Sequence, residues 1–84
     1  MTEHTEVVVY TQPNCGPCRE VERYLDEAGV TFSERDVSRD ADALAELIAQ
    51  GFMSTPVTRI GDTWIAGYNR RQLEAATASL TSSI

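Results

Sequence analysis

Residues 7–10, with the sequence Val7-Val8-Val9-Tyr10, form the longest wholly apolar run in the chain. Successive side chains of a β-strand point to opposite faces, so a strand that is apolar at every position must be covered on both faces. This pattern is typical of a central strand in a sheet that has helices on either side. We therefore expect an α/β fold whose first strand covers residues 5–11.

Strand and helix patterns alternate along the rest of the chain. A helix is expected between Gly16 and Gly29, with an apolar stripe at helical spacing. The members of this stripe are Cys18, Val21, Leu25 and Ala28. Residues 31–37 predict a second strand, weaker than the first and near an edge of the sheet.

A second helix should begin at Ser38 or Asp40, either of which can cap it, and should end at Gly51. Its predicted inner face consists of Leu44, Leu47 and Ile48. Gly61 and Asp62 form a turn, which makes residues 57–60 and 63–66 an antiparallel hairpin.

The last helix is expected to begin near Asn69, a good N-cap residue. Its predicted apolar stripe contains Leu73, Ala76, Leu80 and Ile84. The element order is therefore β-α-β-α-β-β-α, and a right-handed crossover makes the first two strands parallel. With 84 residues, the chain is expected to be one domain, residues 1–84, with helices on both faces of the sheet.

The charge balance excludes some classes of protein. The net charge is -6, from 13 acidic and 7 basic residues, whereas a nucleic-acid-binding protein is normally basic. The longest apolar run is far too short to span a membrane, and residues 1–6 lack the features of a signal peptide. We therefore expect a monomer in the cytoplasm that binds neither nucleic acid nor membrane.

The two cysteines lie three residues apart, in Cys15-Gly16-Pro17-Cys18. This motif follows a strand and opens a helix, so the first sulfur lies beside unpaired backbone N–H groups and the positive end of the helix dipole. Such surroundings stabilise a thiolate and lower the pKa of a thiol from about 8.5 to roughly 3.5–7.5. The motif predicts a redox-active dithiol with no other cofactor.

The two sulfurs should have different roles. Cys18 belongs to the inner stripe and should be shielded, whereas Cys15 precedes the stripe and should face solvent. Cys15 would attack a substrate disulfide, and Cys18 would resolve the mixed disulfide. The alternatives are a structural disulfide and a metal or iron–sulfur carrier. His4, the one histidine, lies in a polar tail and is expected to be a solvated surface residue.

Three segments together resemble the glutaredoxin-like redoxins, and most closely the NrdH-redoxins. They are the Cys15-Gly16-Pro17-Cys18 motif, the Thr55-Pro56-Val57 segment and the turn that contains Gly67. The resemblance implies a thioredoxin fold with a four-stranded mixed sheet and three helices. It also implies that the protein donates electrons to disulfide-containing clients, with ribonucleotide reductase among the candidates.

The resemblance further implies a cis bond between Thr55 and Pro56, beside the cysteines; an ordinary trans proline is the alternative from the residues alone. The substrate-binding residues that it implies are Thr55, Pro56, Gly67, Tyr68 and Arg70. Aromatic and sulfur-containing side chains could form an apolar rim around the dithiol, although core packing is the default for Trp64. The rim candidates are Phe52, Met53, Trp64 and Tyr68.

The expected reductant is thioredoxin reductase, with glutathione as the alternative. Glutaredoxins that use glutathione carry acidic residues after a Gly-Gly pair, and this chain has Ala66-Gly67-Tyr68-Asn69 there. The Gly-Pro pair between the cysteines resembles that of thioredoxins. The buried aspartate of thioredoxins has no counterpart in residues 7–11, which leaves water or Glu22 to carry the proton during resolution.

Overall fold

The computed structural model describes residues 5–81, apart from the side chains of Ser79 and Thr81. His4 and Ile84, for which the sequence predicted a solvated tail and an apolar helix position, lie outside the described residues. The elements follow the predicted order: β1 (Val7–Thr11), α1 (Gly16–Glu27), β2 (Ser33–Asp36), α2 (Ala41–Ala49), β3 (Val57–Ile60), β4 (Thr63–Ala66) and α3 (Arg70–Thr81).

The strands form one mixed sheet in the order β2-β1-β3-β4. Strand β1 is parallel to β2 and antiparallel to β3, and β3 and β4 form the antiparallel hairpin. All five residues of β1 are buried, and β2 lies at an edge of the sheet. The thioredoxin-type architecture that the sequence predicted is therefore confirmed.

Two strands are shorter than the sequence predicted. Strand β1 begins at Val7 rather than at residue 5, because its partner β3 ends at Ile60, opposite Val7. Beyond this pair, the carbonyl of Glu6 accepts a hydrogen bond of 3.0 Å from the N–H of Gly61, in the turn. Strand β2 covers residues 33–36 instead of 31–37, and each of its residues pairs with β1.

The alternation of side chains along β1 produces two hydrophobic cores, one on each face of the sheet. Helices α1 and α3 cover the face that carries Val7 and Val9, whereas α2 covers the face that carries Val8 and Tyr10. The first core also contains Val21, Leu25, Val30, Ile60, Ile65 and Leu73. No helix within residues 5–81 is long and apolar enough to cross a membrane.

The predicted inner face of α2 is wrong for two of its three residues. Leu47 is buried as predicted, but Leu44 is 40% exposed and Ile48 is 53% exposed. Ala43 is buried with Leu47, because the two residues are one turn apart and face the sheet together. Leu44 and Ile48 each lie one residue further along, which turns them about 100° away from this face.

Candidate active site

The loop that follows β1 brings the chain to the start of α1. Asn14 has a φ of 61°, and asparagine is one of the few residues that tolerate this left-handed conformation. Cys15 follows as the N-cap of α1, and Pro17 lies in the first turn, where the missing N–H costs little. The motif therefore occupies the start of the helix, as the sequence predicted.

Cys15 and Cys18 are joined by a disulfide, so the structure represents the oxidised form. Cys18 is 1% exposed and packs into the apolar stripe with Val21 and Leu25. Cys15 is the more accessible of the two, but at 9% exposed it is largely covered and does not face solvent as fully as predicted. The hydroxyl of Thr55, 3.8 Å from Cys15 Sγ, lies against this sulfur.

Two donors converge on the sulfur of Cys15. The backbone N–H of Cys18 donates to Cys15 Sγ at 3.2 Å, and the hydroxyl of Thr55 donates to the same atom at 3.8 Å. The sulfur also lies at the positive end of the α1 dipole. These interactions would stabilise a negative charge on Cys15 Sγ once the disulfide is open.

Three of the predicted substrate-binding residues are linked to one another, and one of them, Thr55, contacts Cys15. The Thr55–Pro56 bond is cis, as the resemblance implied. The N–H of Gly67 donates to the carbonyl of Pro56 at 2.8 Å, which connects the start of β3 to the turn after β4. Gly67 has a φ of 70°, a conformation that glycine adopts without strain.

Tyr68 and Arg70 lie in a different place. They line a groove between α1 and α3, together with Arg23 and Tyr24, and none of the residues around this groove is a cysteine. Arg70 Nε is 3.0 Å from Glu74 Oε2, one turn along α3, and both side chains are more than half exposed. The structure therefore places Thr55 against Cys15 and connects Gly67 to Pro56, whereas Tyr68 and Arg70 are not among the residues that line the cavity beside Cys15.

That cavity, of about 240 Å³, lies between the loop after β1, the start of α1 and the strand β2. Its charged lining residues are Arg19 and Glu22 from α1 and Glu34 and Asp36 from β2. Sequence reasoning identified Glu22 but missed the two acids of β2. Glu34 and Asp36 are two residues apart on a strand, so their side chains point to the same face of the sheet. The sequence does not say which face this is; the pairing of β2 with β1 shows that it is the face that α1 covers.

Glu22 lies in unusual surroundings. Its Oε2 atom is buried and has no hydrogen-bond partner within the described part of the chain. Burial, followed by the hydrogen bond and the charge of Glu34, raises the pKa of Glu22 to about 7, and Arg19 opposes this effect only in part. A carboxyl group with a pKa near 7 is partly protonated at neutral pH, so Glu22 can exchange a proton there.

The aromatic residues do not form the proposed rim. Trp64 stacks on Tyr10 at 5.6 Å and on Phe52 at 5.9 Å between ring centroids, and all three belong to the core under α2. Core packing, the default for Trp64, is therefore confirmed. Met53 is 88% exposed and Tyr68 is 40% exposed, which leaves these two as exposed apolar side chains.

Within residues 5–81, no three or more His, Cys, Asp or Glu side chains are grouped so that they could hold a metal ion.

Comparison with known proteins places the chain among redoxins. The family model for glutaredoxin matches residues 7–65. The gene 56 protein of Mycobacterium phage D29 is 43% identical over 42 residues, which are 50% of this chain and 47% of the phage protein, so the match spans about half of that relative. The glutaredoxin-like protein NrdH of Escherichia coli strain K12 is 32% identical over 62 residues, 74% of this chain and 76% of that protein.

A solved structure supports the same assignment. The structure of the glutaredoxin-like protein NrdH-redoxin from Escherichia coli superposes with a TM-score of 0.79 at 28% identity. The superposition covers 83% of this chain and 92% of that chain. The similarity therefore extends over most of both chains.

Proposed function

The chain belongs to the glutaredoxin family as an NrdH-type redoxin, a class of thiol–disulfide oxidoreductases, and we propose that it passes two electrons from a Cys15–Cys18 dithiol to protein disulfides. The observation that carries this proposal is the convergence of the Cys18 N–H and the Thr55 hydroxyl on Cys15 Sγ. This geometry stabilises the thiolate that the reaction needs.

The reaction has two exchange steps. The thiolate of Cys15 attacks one sulfur of the client disulfide, and the other client sulfur leaves as a thiolate. The thiolate of Cys18 then attacks Cys15 Sγ, which breaks the mixed disulfide and releases the second client sulfur. The client disulfide is reduced to two thiols, and Cys15 and Cys18 are oxidised to the disulfide found in the structure. No other cofactor takes part.

In this reaction, the residues around the dithiol would bind the client. Thr55 and Pro56 lie beside Cys15, and the extended segment around them would pair with the backbone of the client. Gly67 keeps this segment in place through its hydrogen bond to Pro56. Tyr68 and Arg70 would contact the client further out, from the groove between α1 and α3.

The proposed reductant is thioredoxin reductase rather than glutathione. At the positions where glutaredoxins carry acids for glutathione, this chain has Tyr68 and Asn69, and Asn69 Oδ1 is occupied by the N–H of Gln72 at 3.0 Å, as the cap of α3. The NrdH-redoxin of Escherichia coli is described as having a thioredoxin-like activity profile. We extend this profile to the present chain, as a monomer in the cytoplasm with ribonucleotide reductase as a candidate client.

Two reduction assays test this proposal. The oxidised protein is offered NADPH with thioredoxin reductase, or NADPH with glutathione and glutathione reductase, and NADPH consumption is followed with a protein disulfide as the acceptor. Turnover in the first assay is the expected result, and turnover only in the second would overturn the proposed reductant. Turnover in neither assay, or a visible absorption band with bound metal, would contradict the electron-donor function itself.

A further inference from the structure

Resolution of the mixed disulfide needs a proton acceptor, and the residues of β1 cannot supply one. The nucleophile in the second step is the thiolate of Cys18, so the Cys18 thiol must first lose its proton. Cys18 is 1% exposed, which limits its contact with bulk water. Strand β1, which runs beside the motif, contains only valine, tyrosine and threonine. Another group must therefore accept the proton.

Glu22 is placed to accept it. Residues four apart on a helix lie on the same side, so Cys18 and Glu22 are neighbours on α1. Glu22 also lines the cavity that contains Cys15, and its buried Oε2 atom has no hydrogen-bond partner among the described residues. A carboxylate oxygen with no partner in the described part of the chain, in a cavity that Cys15 lines, is available to take a proton.

The charges around Glu22 favour its protonated form. Asp26 on α1 and Glu34 on β2 both disfavour a negative charge on Glu22, whereas Arg19 on α1 favours it. Asp36 adds a third carboxyl group to the cavity, whereas β1 and the loop after it contribute only uncharged side chains. A carboxyl group that titrates near neutral pH can both accept and return a proton at the pH of the cytoplasm.

We propose that Glu22, held against Glu34, accepts the proton of the Cys18 thiol when the mixed disulfide is resolved and returns it when the protein is reduced again. In resolution, the proton moves from Cys18 Sγ to Glu22, and the Cys18 thiolate then attacks Cys15 Sγ; the client thiolate that is released takes a proton from solvent. In re-reduction, a reductase thiolate attacks Cys15 Sγ, Cys18 leaves as a thiolate, and Glu22 returns the proton to it. This inference rests on the proposed thiol–disulfide exchange.

One stopped-flow experiment separates the two steps. The reduced protein is mixed with Ellman's reagent, which releases one coloured thiolate when Cys15 attacks and a second when Cys18 resolves the mixed disulfide. In the Glu22→Gln variant, we expect the first phase to be unchanged and the second to be slower by about tenfold or more at neutral pH. The wild-type second phase should show an inflection near pH 7 that the variant lacks.

Three further variants make the result specific to proton transfer. Glu22→Asp keeps a carboxyl group and should restore part of the rate and the inflection. Glu34→Gln removes the carboxyl partner, so the inflection should move to lower pH. Asp62→Asn removes the same charge from the β3–β4 turn, at the end of β3 opposite Pro56, and should leave both phases unchanged.

Two results would overturn the proposal. One is equal slowing of both phases in Glu22→Gln, and the other is a second phase with an unchanged rate and pH profile. The assay uses a small-molecule disulfide and no reductase, so its result does not depend on which reductant or client the protein uses. Failure of both reductase assays would contradict the proposed function, whereas the stopped-flow phases would still test Glu22.

Discussion

At the residue scale, one turn of helix separates two cysteines of identical chemistry. Cys15 is the N-cap of α1 and accepts two hydrogen bonds, whereas Cys18 is buried in the stripe that packs on the sheet. Position on the helix thus makes Cys15 the more accessible sulfur and Cys18 the shielded one.

The division of roles can be tested by trapping. In Cys18→Ser, the mixed disulfide with a client cannot be resolved, so we expect a stable covalent complex through Cys15. Non-reducing gels and mass spectrometry of the linked peptides would identify the bond. Cys15→Ser is the matched control and should trap no client, because Cys18 is 1% exposed. A complex formed through Cys18 instead would reverse the assigned roles.

Thr55 offers a second test at this scale. Thr55→Val removes the hydroxyl that donates to Cys15 Sγ but keeps the branched shape of the side chain. The thiolate loses one hydrogen bond, so alkylation of reduced Cys15 by iodoacetamide at slightly acidic pH should slow by about 3- to 10-fold. Thr55→Ser keeps the hydroxyl and should react like the wild type. Equal rates for valine and serine would exclude a contribution of the hydroxyl.

These residues differ in how far the sequence alone could reveal them. The spacing of Cys15 and Cys18 was sufficient to identify the dithiol, and the resemblance to redoxins added Thr55. Glu34 was not predictable, because its contact with Glu22 depends on the pairing of Val9 with Glu34 across β1 and β2. Such pairing depends on how two distant segments align, and a single sequence does not contain this information.

At the element scale, the sequence was most informative for elements whose apolar pattern allows only one packing arrangement. Strand β1 is apolar throughout and lies inside the sheet, and the hairpin of β3 and β4 ends at the predicted turn. Helix α2 was less predictable, because Ala43, Leu44, Leu47 and Ile48 offer two overlapping apolar faces. The orientation of α2 relative to Val8 and Val57 decides between them, and it buries Ala43 and Leu47.

The orientation of α2 has a consequence for stability. Leu47→Ala removes a side chain that is 1% exposed, and we expect it to lower the free energy of unfolding by about 2–5 kcal/mol. Leu44→Ala makes the same chemical change at a position that is 40% exposed, so its effect should be within about 1 kcal/mol. Urea unfolding of both variants measures the difference. Similar losses would mean that Leu44 also faces the core.

At the scale of the whole molecule, the distribution of charge is more informative than its total. The net charge of -6 identifies no partner. Among the described residues, the fold nevertheless gathers the carboxyl groups of Glu22, Glu34 and Asp36 around the cavity that contains Cys15, together with the cation of Arg19. This arrangement makes the acid–base state of one cavity depend on elements that are distant in sequence.

The same arrangement makes the stability of the molecule depend on pH. The folded pKa of Glu22 is about 7, above its ordinary value of 4.5, so the folded chain binds more protons than the unfolded chain between these two values. The free energy of unfolding should therefore fall as the pH rises through this window and become constant above it. The carboxyl groups with lowered pKa do not produce this slope, because they increase stability as the pH rises, which is a slope of the opposite sign; they are Asp36, Asp40 and Glu46.

Glutamine does not titrate, so Glu22→Gln should remove this dependence of the free energy of unfolding on pH. We expect the variant to be more stable than the wild type at about pH 8, where the wild type must keep a charged Glu22 against Glu34, and to differ little from it at about pH 5. Urea unfolding at both pH values measures the two differences, with Asp62→Asn as the charge-matched control. An equal difference at both pH values would show that Glu22 titrates as an ordinary carboxyl group and would remove the basis for its role in proton transfer. The expected result, a variant that unfolds less readily but resolves disulfides more slowly, would show that the buried charge is kept for the reaction at a cost in stability.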